Sequence, residues 1–128
     1  MATHRLAAAG AAEPAVAWQR YAEVAAWPTW SPHIVSTEAD AEQIAPGVTG
    51  RVHVVGGLRL PFTVTAVDAP HHRWSWVVAL GPVALTLHHE VRDHPLGSAT
   101  VLVMEGPRPV LLAYAPLAWV ALRRLVAS

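Results

Sequence analysis

Eight histidines and two tyrosines give this chain its widest chemical range, and their spacing narrows what they can do. His88 and His89 are adjacent, so on an extended strand their imidazoles point to opposite faces. Within Val83 to Arg92, His89 shares its parity with Leu85, Leu87 and Val91, while His88 shares its own with Thr86, Glu90 and Arg92. The apolar set faces inward and takes His89 with it. An imidazole among apolar neighbours stays neutral, because burial disfavours the charged form. Such a group orients a ligand carbonyl or hydroxyl, or acts as a general base near neutral pH. The plain alternative is a core histidine bonded to a backbone carbonyl or to Tyr114. Tyr114 has the same two readings, a hydroxyl offered to a pocket or a structural hydrogen bond. His89 and Tyr114 are therefore the candidate catalytic residues.

Metal binding is not expected from the remaining histidines. No His-x-x-x-His occurs, His71-His72 follow Pro70 in a turn, and the chain has no cysteine. Disulfides, thiolate sites and cysteine nucleophiles are excluded with it. No Gly-rich phosphate loop, dinucleotide fingerprint or Gly-x-Ser-x-Gly is present, and no cofactor is implied. Of the six tryptophans, Trp30, Trp74 and Trp76 offer flat faces for an aromatic or polyene ligand, or else fill the core. Trp18, Trp27 and Trp119 belong to the helical pieces that close the domain and read as structural.

Those side chains need elements to position them. Thr3 to Ala9 is a candidate first strand. A helix follows from Pro14 to Ala26, with Val16, Tyr21 and Val24 near one face and Arg20 and Glu23 outside. Pro28 and Pro32 leave room for one short helical turn. Strands are expected at His33 to Ala39, Thr49 to Val55, Leu58 to Val67, Arg73 to Leu80, Val83 to Arg92 and Ser98 to Glu105. The turn signals between them include Pro46-Gly47, Gly56-Gly57 and Gly81-Pro82, the mark of an antiparallel meander. The chain closes with a helix from Val110 to Ala127, kinked near Pro116. Sheet parity places Leu60, Phe62, Val64 and Ala66 inward, together with Trp74, Trp76, Val78 and Leu80. Val52 and Val54 face the same way. Both faces of the last strand are apolar, so parity leaves Leu102 with Met104 and Val101 with Val103 as equal alternatives. Leu111, Tyr114, Ala118 and Leu122 share one face of the closing helix. The candidate pocket lining is Trp30, Phe62, Val64, Trp74, Trp76, Val78, Leu87, Met104, Leu111 and Tyr114.

Composition bounds the partners. The 128 residues, 53% hydrophobic and 14% charged, suit one domain over 1–128 with a sizeable core. Nine arginines balance nine acids, so no overall field attracts nucleic acid. Val110 to Leu122 is too short to cross a bilayer, which needs roughly 20 apolar residues, and no stable membrane insertion is expected. Arg123-Arg124 reads as favourable charge at a helix C-terminus. The N-terminus lacks the apolar run of a secretory signal, so a cytoplasmic location is the default.

Ala17-Trp18 through Tyr21 and then Trp27-Pro28-Thr29-Trp30-Ser31-Pro32 resemble the opening of the START-like, or SRPBCC, superfamily. Pro46-Gly47 with Gly50-Arg51, Arg73-Trp74-Ser75-Trp76, Gly97-Ser98-Ala99-Thr100 and Tyr114-Ala115-Pro116 resemble its later signatures. The resemblance implies an α+β helix-grip fold, a seven-stranded antiparallel sheet curled around a long C-terminal helix. It also implies an internal pocket for a small hydrophobic ligand, in monomers or homodimers. Two functions fit. One is cyclisation or dehydration of a polyketide-like carbonyl compound, with His89 as base and Tyr114 as donor. The other is a non-catalytic carrier or sensor of a lipid, isoprenoid or aromatic metabolite. An oligomerising module with a collapsed pocket is a third, and exposed apolar helix surface would be its sign.

Overall fold

Strands that follow one another in sequence also lie side by side here, which is what short turns between apolar runs dictate. The computed structural model describes residues 2–128. Its elements are β1 (Ala2–Gly10), α1 (Pro14–Ala22), a 3-10 turn (Val24–Ala26), the single turn α2 (Trp27–Trp30), β2 (Ile34–Ala39), β3 (Thr49–Val54), β4 (Leu58–Asp68), β5 (Arg73–Leu80), β6 (Val83–His94), β7 (Gly97–Gly106) and α3 (Arg108–Leu125). The seven strands form one antiparallel sheet in the order β1-β7-β6-β5-β4-β3-β2. β2 to β7 are thus a continuous meander, and β1 returns to pair with β7 from Ala2 opposite Gly106 to Gly10 opposite Ser98. α3 packs on β1 and β7 and is met by α1 and α2. This is the α+β helix-grip arrangement expected from the sequence.

Parity governs most of the core. Leu85, Leu87, His89 and Val91 of β6 are all buried, as are Trp74, Trp76 and Val78 of β5. On β7 the choice falls to Leu102 and Met104, which join the main core, while Val103 lies on the other face. β4 departs from simple alternation. A register shift between Val64 and Ala66 puts Ala66 out in solvent and turns Val67 toward the core. A bulge of this kind reverses the facing of every residue beyond it.

The helical segments correct three expectations. α1 ends at Ala22, and Val24–Ala26 form a separate 3-10 turn. The face that α1 buries is Ala17 with Tyr21, one helical repeat apart, so Val16 is 44% exposed. Trp119 is 44% exposed as well and does not close the core. α3 remains helical through Pro116, although that residue has no N–H to return to the Leu112 carbonyl.

Local bonding explains how α2 is held. The indole N–H of Trp27 donates to the Tyr21 carbonyl (2.9 Å), and that of Trp30 to the Arg20 carbonyl (3.0 Å). Carbonyls in the last turn of a helix lack intrahelical partners, so the two indoles satisfy groups that would otherwise be orphaned. Beneath them Tyr21 is fully buried, and its hydroxyl meets Thr100 Oγ1 at 2.6 Å. Trp27, Phe62, Trp74 and Trp76 pack ring against ring around this anchor, with centroids 4.9–5.7 Å apart. The deep end of the grip is consequently solid.

Candidate functional site

Because aromatic rings fill the deep end, the open space lies toward the hairpin ends of the sheet. A cavity of about 260 Å³ is bounded there by Val52, Val54 and Leu60 of β3–β4, by Trp76, Val78, Leu85 and Leu87 of β5–β6, and by Val110, Tyr114 and Leu117 of α3. Its walls are apolar almost throughout. His33, Tyr114 and Trp76 are the lining residues with polar side-chain atoms, and the Trp76 indole N–H is already given to His89 Nε2 at 3.2 Å.

His33 and Tyr114 form the polar end of this space. His33 follows α2 and immediately precedes β2, and it is 8% exposed. Its Nε2 lies 3.1 Å from the Tyr114 hydroxyl, and the Ser31 hydroxyl lies within 3.3 Å of both ring nitrogens. The two rings meet edge to face, with centroids 5.3 Å apart. Burial lowers the His33 pKa below the ordinary histidine value, so the ring is neutral at pH 7. Burial also pushes the Tyr114 hydroxyl up to about 12, so it keeps its proton.

A neutral pair of this kind has two hydrogen-bonding states. If His33 Nε2 accepts from the Tyr114 O–H, the tyrosine oxygen is left to accept from a ligand hydroxyl. If Nε2–H donates to the tyrosine oxygen, the Tyr114 O–H is left to donate to a ligand carbonyl. Either state holds one oxygen atom.

His89 sits deeper, behind Trp76. It stacks on Trp74 with centroids 4.5 Å apart and lies 4.9 Å from the Tyr21 ring. Since its Nε2 accepts from Trp76, the neutral ring carries its proton on Nδ1, which has no partner among the described residues. Burial, reinforced by nearby His88, pushes its pKa down to about 3. The space it borders is a void of about 20 Å³, shared with Trp30, Trp74, Trp76 and Tyr114. Ile34, Trp76 and Tyr114 are common to the void and the larger cavity.

The structure places four of the expected lining residues, Trp76, Val78, Leu87 and Tyr114, at the open cavity, and Trp30 and Trp74 at the inner void. Phe62, Val64, Met104 and Leu111 are buried in the surrounding core, at 3% exposure or less. His33 was not among the candidates. The sequence makes it the first residue of the strand to Ala39, but β2 begins at Ile34 and His33 stands in the turn before it, where strand parity does not set its direction. His88 points outward as expected, bonding Ser75 and Glu105.

No curated protein matches the sequence. Several solved structures share the fold. Ara h 8.0201 superposes with a TM-score of 0.78 at 13% identity, covering 98% of this chain and 95% of the other. The protein XoxI from Bacillus cereus gives 0.78 at 12% identity, covering 98% and 93%. CV1439 from Chromobacterium violaceum gives 0.72 at 15% identity, covering 97% and 94%. The family model described as polyketide cyclase / dehydrase and lipid transport matches residues 3–128. With its helix-grip sheet and a match over nearly its whole length, the chain belongs to that family, within the START-like superfamily that its sequence resembles.

Proposed function

We propose that this protein binds a small, mostly apolar molecule carrying one carbonyl or hydroxyl oxygen, with that oxygen at the His33–Tyr114 pair. The observation that carries the reading is the contrast within the cavity: an aliphatic and aromatic wall with one neutral polar pair at its edge, the imidazole buried and the phenol half-buried. A few placed polar groups in an otherwise apolar cleft fix a ligand's orientation. The volume of about 260 Å³ lies just under the roughly 300–1,000 Å³ usual for ligand pockets, so it suits a small ligand. A carrier or sensor of a lipid, isoprenoid or aromatic metabolite needs nothing more.

Catalysis on a polyketide-like carbonyl compound is the second reading, and the neutral imidazole beside a protonated phenol favours it. In that chemistry Tyr114 donates to the carbonyl oxygen as enolate charge develops, and a histidine removes the adjacent proton. His33 reaches that role only through Nδ1, since its Nε2–H donates to the tyrosine oxygen while Tyr114 holds the carbonyl; His89, with Nε2 occupied and a pKa of about 3, is a feeble base.

Native mass spectrometry of the purified protein, with extraction and identification of any bound molecule, tests the proposal directly. Titration with 2-acetylnaphthalene and 2-ethylnaphthalene, a pair that differs in the carbonyl, accompanies it. The expected result is tighter binding of the ketone. Equal affinity for both, or binding of neither, overturns the assignment of the polar pair as the anchor.

A further inference from the structure

The outer face of the sheet, opposite the cavity, carries a polar relay across three strands. Ser75 of β5 and His88 of β6 stand directly opposite each other, and the Ser75 hydroxyl lies 2.7 Å from His88 Nδ1. On the other side of the ring, Nε2 lies 2.6 Å from a carboxylate oxygen of Glu105 on β7. The carboxylate decides the tautomer. An ionised carboxylate can only accept, so the neutral imidazole carries its proton on Nε2 and donates it to Glu105. Nδ1 is then a bare lone pair, and the Ser75 O–H must donate to it. A hydroxyl held on an imidazole that a carboxylate orients is the arrangement that activates serine as a nucleophile.

The surroundings suit that chemistry. Ser75 and His88 line an open hollow of about 390 Å³ together with Arg5, Arg73, Arg92 and Glu90. On its far side Ser75 is opposite the exposed Ala66, whose methyl group leaves the serine oxygen approachable. Arg73 precedes Ser75 by two residues and so shares its strand face. Arg5 of β1 belongs to the same cross-strand row, opposite Val103, which is itself opposite His88. Glu90 pairs with both Arg73 and Arg92, whereas Arg5 is in no ion pair among the described residues. Guanidinium groups beside a serine nucleophile can steady an oxyanion and draw in a negatively charged substrate.

We propose that Ser75, His88 and Glu105 form a second site, an acyl-transfer centre on the outer face that takes small esters with an acidic acyl group. The Ser75 oxygen bonds to the ester carbonyl carbon while its proton passes to His88 Nδ1. The bond to the leaving oxygen then breaks, and that oxygen takes the proton from Nδ1. Water attacks the acyl-serine next, gives a proton to Nδ1 and releases the acid as the serine oxygen is reprotonated. Ser75 and His88 are the catalytic residues, and Glu105 is a positioning residue that acts through the ring. The site lies on the opposite side of the sheet from the His33–Tyr114 pair and does not depend on what the cavity holds.

The full chain is treated with a biotinylated fluorophosphonate, and the adduct is located by peptide mass spectrometry. One adduct, on Ser75, is the expected result. His88→Gln slows its formation about tenfold or more, the usual worth of a positioned base. Nitrogen NMR of the ring reads the role of Glu105: wild type shows the Nε2–H tautomer alone, and Glu105→Gln shows a mixture. Turnover is followed with mono-para-nitrophenyl succinate and para-nitrophenyl acetate. The succinate reacts faster in wild type, Arg5→Gln loses that preference, and Ser75→Ala loses the reaction. All four positions are exposed or half-exposed, so circular dichroism stays at the wild-type spectrum. No adduct on Ser75, an equal labelling rate in His88→Gln, or wild-type ester turnover by Ser75→Ala overturns the proposal. The last outcome would assign the hydrolysis to exposed imidazoles acting singly.

Discussion

Tyr114 and His33 are 81 positions apart in the chain, and their Oη and Nε2 atoms are 3.1 Å apart at the edge of the cavity. The contact ties the start of β2 to the middle of α3 and puts the pocket's polar group where sheet and helix meet. Replacing Tyr114 by phenylalanine keeps the ring and removes the hydroxyl. Affinity for 2-acetylnaphthalene is expected to fall by about 1–1.5 kcal/mol, the usual worth of one neutral hydrogen bond, while 2-ethylnaphthalene binds as before. Calorimetric titration of both compounds reads the difference. An equal loss for the two would show that the ring, and not its hydroxyl, does the holding.

His89 makes the fold sensitive to acid. Its folded pKa is about 3 against an ordinary histidine value of 6.5. Above pH 6.5 the ring is neutral in folded and unfolded chains alike, and its contribution is fully present. Between 6.5 and 3 the unfolded chain takes up a proton that the folded chain refuses, so stability falls as pH falls. At pH 4.5 the loss from this one residue is about 2–3 kcal/mol. His89→Gln keeps an acceptor for the Trp76 indole and cannot be protonated. Urea unfolding at pH 7.5 and 4.5 is expected to show a smaller acid loss in the variant, by that amount. Equal losses in the two proteins would mean that His89 is protonated without unfolding.

The cavity is defined by volume that nothing fills, and so is open to blocking. Val78 lies on its sheet wall beside Trp76 and Leu87. Val78→Phe directs a ring into the space. Both naphthyl probes are expected to lose more than about tenfold in affinity, whereas stability changes by less than about 1.5 kcal/mol, because the added ring meets open volume and not packed atoms. A large loss of stability with affinity retained would place the binding site elsewhere.

Strand parity was sufficient for the architecture and most of the core, because a half-buried sheet repeats every two residues and its turns carry glycine and proline. His89, Leu87 and Trp76 could be placed inward from the sequence on that basis. Parity fails where the backbone departs from a regular strand. The shift between Val64 and Ala66 exposed one expected core residue, and His33 lay outside any strand. Knowing that a residue faces inward also does not tell whether the space beside it is filled. Phe62 and Trp76 have the same parity, yet Phe62 is packed among rings while Trp76 borders open volume. Trp27, which descends from α2, packs on Phe62 at 5.3 Å and on one side of Trp76 at 4.9 Å, a three-dimensional fact with no periodic trace. The exposed face of α3 was legible only as apolarity, which reads the same for a buried helix.

Arg20 supplies the last prediction. From the third-last position of α1 its Nη1 donates to the carbonyls of Leu125 (2.6 Å) and Ala127 (2.7 Å), with Arg124 at 3.3 Å. The final carbonyls of a helix have no intrahelical partner and carry partial negative charge, so a guanidinium there is doubly favourable. The same end of α3 is secured by the Ala12 N–H donating to the Val126 carbonyl at 2.9 Å. Arg20→Met retains the aliphatic stem and removes the donors. A stability loss of about 1–3 kcal/mol is expected, since charge-assisted bonds partly exposed to water fall in that range. Arg20→Lys should recover part of it, because one ammonium can reach fewer carbonyls than the fork. Probe affinity is expected to stay unchanged in both variants. Tyr114 lies on the other side of Pro116, where a backbone hydrogen bond is missing, so loosening at Leu125 has a weak route to it. If affinity falls together with stability, the two halves of α3 move as one body, and Pro116 does not isolate the pocket from the helix's anchored end.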